Sequence, residues 1–161
     1  MYETLESLRG VTLLPVSPLH DGDLSLCLAE IEPLDEVIGR VPAYRFDMYL
    51  SGVSRAVGSI SLRVANTHYV VNYLGHIGYH VEPAYRGRRL AARSCRLLLP
   101  LARQHGLRPL WITCNPDNWA SRRTCELAGA HLVEIVDVPP NNPIYLSGET
   151  RKCRYRLDLP D

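Results

Sequence analysis

An excess of charge of either sign is missing from this chain. Its 18 Lys and Arg residues offset 17 Asp and Glu, leaving a net +1. That balance excludes a general polyanion binder. Lysine is nearly absent too: Lys152 is the only one, and every other basic residue is arginine. Arginine keeps its proton and forks onto phosphates, but a skew running through the whole chain reads first as residue usage. The five cysteines (Cys27, Cys95, Cys114, Cys125 and Cys153) are odd in number and form no Cys-x-x-Cys pair. This argues against a disulfide framework or zinc knuckle and for a reducing compartment. No His-x-x-x-His pair is flanked by further ligands, so no metal site is expected; His76 and His80 stand four apart, too far for easy chelation on a strand. Met1 to Gly10 is acidic and has no apolar run of signal-peptide length, and no window approaches a membrane span. Internal repeats and linkers are missing as well. With 46% hydrophobic residues, the expectation is one cytoplasmic domain over 1–161, off the membrane.

Periodicity then sets out the elements. Val11–Val16 reads as a first strand ended by Pro18, and Leu19–Ile38 as two short helices parted at Pro33, from Leu24, Leu28 and Ile31. Tyr44–Leu50 and Ala56–Val64 flank Ser51-Gly52 as a hairpin, and Asn66–Leu74 is a Tyr-rich connection. Gly75–Glu82 alternates as a strand. Arg88–His105 is helical, stopped by Gly106 and kinked or divided at Pro100. Leu110–Cys114 is a buried strand, Asn118–Ala128 a helix closed by Gly129, and His131–Val136 and Arg151–Leu159 are the last strands. The order β-α-α-β-β-β-α-β-α-β-β describes a mixed α/β (α+β) fold.

The informative stretch is Gly75 to Ala130. A strand runs into Arg86-Gly87-Arg88-Arg89-Leu90-Ala91, and this turn opens a helix. Backbone N–H groups and a helix dipole then converge on one small volume, which suits a pyrophosphate. Gly87 and Ala91 permit close approach, and Arg86, Arg88 or Arg89 can add charge-assisted contacts. Arg93 and Arg96 continue an i, i+4, i+7 stripe from Arg89 and read as a solvated helix face.

These residues resemble the GNAT superfamily of acyl-CoA N-acyltransferases, whose turn signature is Arg/Gln-x-x-Gly-x-Gly/Ala. Asn118-x-x-Ser121, ending at Gly129-Ala130, looks like the family's fourth helix. Gly75-His76-Ile77-Gly78-Tyr79, Ile112-Thr113-Cys114 and Arg154-Tyr155-Arg156-Leu157-Asp158-Leu159 are similar to a branch of bacterial acetyltransferases of unassigned substrate. The likeness runs from about Val57 to Gly129 and resumes at the last strand. It implies acetyl-CoA as cosubstrate, held by Val81, Arg86, Gly87, Arg88, Arg89, Leu90, Ala91, Asn118 and Ser121. In this reading Val81 pairs with the pantetheine arm, and its N–H steadies the thioester oxygen. Arg89 stands where the family has its middle glycine; if that position needs φ > 0, arginine brings strain of about 1–2 kcal/mol.

The acid–base candidates lie on either side of the turn. Strand geometry puts His76, His80 and Glu82 on one face, with Glu82 nearest the expected thioester and Glu82 or His80 as base. His76 reads as a hydrogen-bonding residue of the Tyr-rich loop. Asn118, Ser121 and Cys125 share a helical stripe. Cys125 occupies the place of the family's proton-donating tyrosine; it has the chemistry of an acid but the burial habits of a core residue, and Ser121 is the alternative relay. Asn118 reads either as an N-terminal cap or, if Asn115 before Pro116 is the cap, as a cofactor ligand. Cys95 and Cys114 read as buried thiols rather than acyl-accepting nucleophiles.

The expectation is thus an N-acetyltransferase in which a primary amine, on a small molecule or a protein, attacks acetyl-CoA directly. Its acceptor pocket would lie among Leu24–Ile38, Asn66–Leu74 and Pro139–Ser147, with Tyr69, Tyr73 and Tyr145 as an aromatic wall. No run of like charges announces a polyamine or an anionic acceptor. The alternative is a catalytically silent acyl-CoA binder or sensor, favoured by Arg89 and Cys125. An RNA-binding module ranks third and nucleic acid is not expected, because Arg86–Arg103 interleaves no aromatic residue. A homodimer is implied only by analogy with the fold.

Overall fold

Strand pairing in the computed structural model, which describes residues 1–160, divides the chain into two antiparallel sheets. The first joins β1 (Leu19–Asp21), β2 (Leu24–Glu32), β3 (Ala43–Leu50), β4 (Gly58–Arg63) and β5 (Ile77–Val81) in that order. The second joins β6 (Leu110–Cys114), β7 (His131–Asp137) and β8 (Arg151–Leu157), with β8 in the middle. Four α-helices among the described residues complete the framework: α1 (Leu90–Leu97), α2 (Leu99–Gln104), α3 (Trp119–Leu127) and α4 (Pro143–Leu146). Tyr44, Phe46, Ile60, Leu62, Leu98, Leu110 and Tyr155 belong to one apolar cluster that both sheets and α1 enter. No helix among the described residues is long and apolar enough to cross a membrane.

The mixed α+β class is as expected, but the order of elements differs at its beginning. Val11–Val16 forms no strand. It is an extended segment whose Val11, Leu13 and Val16 pack on the core while Leu14 is exposed. Pro15 and Pro18 supply no N–H for a ladder. The two helices expected in Leu19–Ile38 are also absent; β1 and β2 form a hairpin there, turning at Gly22 with φ +58°. Leu24 and Leu28 fit a helix at i, i+4, but Leu26 between them is fully buried, so the governing period is two.

Elsewhere local chemistry shows directly. Pro100 has no N–H to donate, and the long helix divides at Leu98 into α1 and α2. Gly106 ends it at φ +70°, with Leu107 N–H donating back to Ala102 O. Arg93 is not the solvated residue its stripe suggested. It bonds Asp21 Oδ2 at 2.8 Å and Asp23 Oδ1 at 2.8 Å, bolting α1 to the β1–β2 turn. Arg96 is exposed, and its Nη1 reaches Ala128 O at 3.5 Å.

Between the sheets, β5 and β6 lie side by side without a ladder. They are joined at their beginnings. His76 N–H donates to Trp111 O at 2.7 Å, and Trp111 N–H donates to His76 Nδ1 at 2.9 Å. Gly75 sits against this joint at φ +79°, where a Cβ would come 3.1 Å from both Thr113 N and Trp111 O. Beyond the joint the two strands belong to different sheets, leaving a V open toward Val81 and Cys114.

Candidate active site

Register decides which backbone groups face the V. Glu82 N–H donates to Val57 O and Arg63 N–H to His76 O. Alternation of the antiparallel ladder then turns the N–H and C=O of Tyr79 and Val81 away from β4, toward the gap. One of these groups is taken: Arg86 Nε donates to Val81 O at 3.0 Å, tying the turn to the strand end.

The turn itself is shaped by two left-handed residues. Gly87 lies at φ +83° and Arg89 at φ +59°, ψ +24°, so the glycine-to-arginine position does require the left-handed region. Arg89 precedes α1 without a side-chain cap, and the first intrahelical bond runs from Arg93 N–H to Arg89 O. The N–H groups of Leu90, Ala91 and Ala92 therefore have no partner inside the helix. Relief of left-handed strain outweighs the extra freedom glycine gives the unfolded chain, so Arg89→Gly should stabilise the protein by about 0.5–1 kcal/mol. Chemical denaturation of the two proteins side by side checks this.

A cleft of about 620 Å³ opens over the turn, between β5 and α3. Every expected cofactor-binding residue lines it except Arg88, whose guanidinium stands 5.4 Å over the Tyr85 ring. Arg123 adds charge to the wall from α3. Asn118 caps α3, its Oδ1 accepting from Ser121 N–H at 3.1 Å. Asn115 does not cap; it bridges Glu149 and Lys152.

The acid–base candidates separate. His80 and Ser121 line the cleft, whereas Glu82 lines neither this cleft nor its neighbour. His76 is fully buried immediately before β5, its Nε2 2.9 Å from Asn66 Oδ1. Burial pushes its pKa down to about 4, keeping the imidazole neutral. Cys125 is fully buried, and its thiol is pushed up by its hydrogen bond to Cys114 and by desolvation. Cys95 is buried with its thiol pushed up to about 12. Cys114 is buried at the edge of the neighbouring cleft, its thiol drawn down by the hydrogen bond from Cys125.

Tyr79 was not singled out from the sequence. It reaches from β5 to α3, its hydroxyl 2.6 Å from Ser121 Oγ and 4.0 Å from Cys125 Sγ. Desolvation raises its phenol well above the ordinary range, with Cys125 adding to the shift, so it stays protonated. Two signals pointed to it: it alternates in register with Val81, and the residue it meets on α3 is a small Cys125.

A second cleft, of about 240 Å³, lies on the other side of Tyr79, Asn118 and Ser121, which line both. Its wall includes Arg63, Tyr73, Thr113, Glu149 and Lys152. Tyr73 is the one member of the expected aromatic wall that reaches it, and the Leu24–Ile38 segment takes no part. No group of three or more His, Cys, Asp or Glu side chains arranged to hold a metal occurs among the described residues.

Comparison with known proteins follows this geometry. No curated protein matches the chain in sequence. The chain resembles the ribosomal-protein-S5-alanine acetyltransferase of Vibrio fischeri, with TM-score 0.66 at 12% identity over 91% of this chain and 98% of that one. It also resembles RimL, a ribosomal L7/L12 α-N-protein acetyltransferase solved with coenzyme A, with TM-score 0.62 at 15% identity over 89% and 98%. The microcin C7 self-immunity acetyltransferase MccE, solved with acetyl-CoA and AMP, gives TM-score 0.53 at 16% identity, over 73% of this chain and 61% of that one. These likenesses are of fold. The family model for the acetyltransferase (GNAT) domain matches residues 31–131, a span that contains the V, the turn and α3, and the chain is a member of the GNAT acetyltransferase family.

Proposed function

We propose that the protein transfers an acetyl group from acetyl-CoA to a primary amine by direct attack, with the larger cleft holding the cofactor and the smaller one the amine. The observation that carries this is the meeting of the two clefts at Tyr79, Asn118 and Ser121, beside the gap-facing backbone of Val81. Neighbours of the same fold solved with coenzyme A or acetyl-CoA support the choice of cofactor.

Acetyl-CoA supplies the acetyl group as a thioester; a C–N bond forms, the C–S bond breaks, and one proton leaves nitrogen while one reaches sulfur. The uncapped N–H groups of Leu90 to Ala92, with Arg86 and Arg89, hold the pyrophosphate. The Val81 N–H donates to the thioester oxygen as charge develops there. In this reading Ser121 Oγ–H donates to the Tyr79 oxygen, and the Tyr79 O–H, which at rest reaches Ser121 O at 3.3 Å, turns to the departing sulfur; solvent behind Ser121 returns the proton. Tyr79 thus does the work the family resemblance placed at Cys125. The amine loses its proton through water on the smaller-cleft side, and His80, exposed at the other cleft, is not required for it.

The test is release of CoA thiol from acetyl-CoA in the presence of free amines, amino acids and peptide N-termini, with the product identified by mass spectrometry. Amine-dependent release with an acetylated product is expected. Tight acetyl-CoA binding without release for any of the three classes would mean a silent binder.

A further inference from the structure

Resting on the acetyl-transfer reading, we infer that the smaller cleft selects an amine that also carries a carboxylate: a free α-amino acid or a similarly small aminocarboxylate. The observation is a cation without an ion-pair partner. Arg63 ends β4 on the wall of this cleft, half-buried, and no carboxylate among the described residues lies within ion-pair distance of it. Its Nη1 is held by Gly75 O at 3.0 Å and Leu74 O at 3.5 Å, which fixes the plane of the guanidinium. Its Nη2 lies beside Gly78, 3.1 Å from where a Cβ would stand, so the absence of a side chain there leaves the guanidinium open. Desolvation lowers the Arg63 pKa and outweighs the opposing pull of Tyr69 and of Glu32, which lies beyond ion-pair distance, so the charge is only partly compensated. An unpaired charge taken out of water is costly, and a bound carboxylate removes that cost with directed hydrogen bonds.

The remaining charges fit the other half of such a ligand. Lys152 is 8% exposed and is matched within the protein, 3.3 Å from Glu149 and 2.9 Å from Asn115 Oδ1. Glu149 also accepts from Asn115 Nδ2 at 3.0 Å, and among the described residues it is the only acid on the cleft wall. On the cleft wall, Arg63 and Lys152 against Glu149 leave one positive charge over, which Glu32 offsets only from a distance; that is the complement of a carboxylate. Glu149 supplies an acceptor for the ammonium or amine N–H. The cleft, at about 240 Å³, is smaller than the roughly 300–1,000 Å³ of sites for drug-sized ligands. It suits a molecule of one residue's size.

The experiment uses the full chain with acetyl-CoA and matched pairs of acceptors, each amino acid against its decarboxylated amine. The amino acids are expected to show kcat/KM about 100-fold above their partners. Arg63→Gln should raise KM for the amino acid by more than about 30-fold, pull the preference toward parity, and leave the acetyl-CoA Kd unchanged. Should Arg63→Gln fail to fold, Glu149→Gln tests the same cleft through a raised KM for the amino acid. A second readout on the unmutated protein is the melting temperature with CoA present: the amino acid raises it and the decarboxylated amine does not. Equal turnover of both partners, or transfer only to peptide N-termini, overturns the inference and leaves acetyl transfer standing. Failure of acetyl-CoA to bind overturns the reading on which it rests.

Discussion

His76→Ala is expected to lower the melting temperature by about 10 °C. The side chain is fully buried and saturated, with Nδ1 taking the Trp111 N–H and Nε2 meeting Asn66 Oδ1. Removing it leaves a cavity and two buried polar groups without partners, together about 4 kcal/mol. In a domain of this size each kcal/mol moves the midpoint by about 2–4 °C. The residue also holds the closed end of the V, so the loss extends to cofactor affinity. Stability carries a pH signature of the same residue. Folded His76 titrates at about 4 against 6.5 for the free side chain. The unfolded chain therefore takes up this proton first as pH falls. The stability that neutral His76 contributes is full above 6.5, declines through the window from 6.5 to 4, and levels off below it. Between pH 7 and pH 5 the loss is about 2 kcal/mol. Burial lowers the His105 pKa as well and adds in the same direction. The difference between wild type and His76→Gln in denaturant titrations at pH 7 and pH 5 isolates His76, the variant being the flatter of the two.

Tyr79→Phe is expected to reduce kcat about 100-fold while the KM for acetyl-CoA changes little, the mark of an interaction made only as sulfur departs. The phenol ring fills the space between β5 and α3, and phenylalanine keeps that packing, so a large loss of stability is not expected. Ser121→Ala should fall in between, about 10-fold in kcat, because it removes the hydrogen bond that orients Tyr79 but not the donor. Cys125→Ser, one helical turn further on, keeps the volume and leaves the donor in place. Steady-state kinetics on the three variants separate these roles. Equal losses in Tyr79→Phe and Cys125→Ser would move the donor back to Cys125.

How much was legible in the sequence differs from segment to segment, for physical reasons. Arg86 to Ala91 is contiguous, so one short stretch showed a turn, a helix start and their charge together, and the structure keeps all but Arg88 on one wall. Pro100 and Gly106 act through local backbone chemistry and were readable for the same reason, whereas Asn118 and Asn115 both fitted a cap in sequence and only the structure decides for Asn118. The β1–β2 hairpin was not read: Leu24, Leu28 and Ile31 satisfy a helical spacing, and only tertiary burial of Leu26 decides for a strand. The smaller cleft was hidden more deeply. Arg63, Glu149 and Lys152 come from distant segments, so no charge cluster exists in the chain until β4 and β8 reach the same cavity. Glu82 is near the turn in sequence, yet it is not among the residues lining either cleft.

The most direct measurement is calorimetric titration of acetyl-CoA into the wild-type protein and into the Arg86→Ala/Arg89→Ala double variant. The account predicts micromolar binding by the wild type and a loss of about 100-fold or more in the variant, since both residues line the cleft and the proposed reading gives both to the phosphates. No heat of binding up to millimolar acetyl-CoA, or full affinity in the double variant, would contradict it.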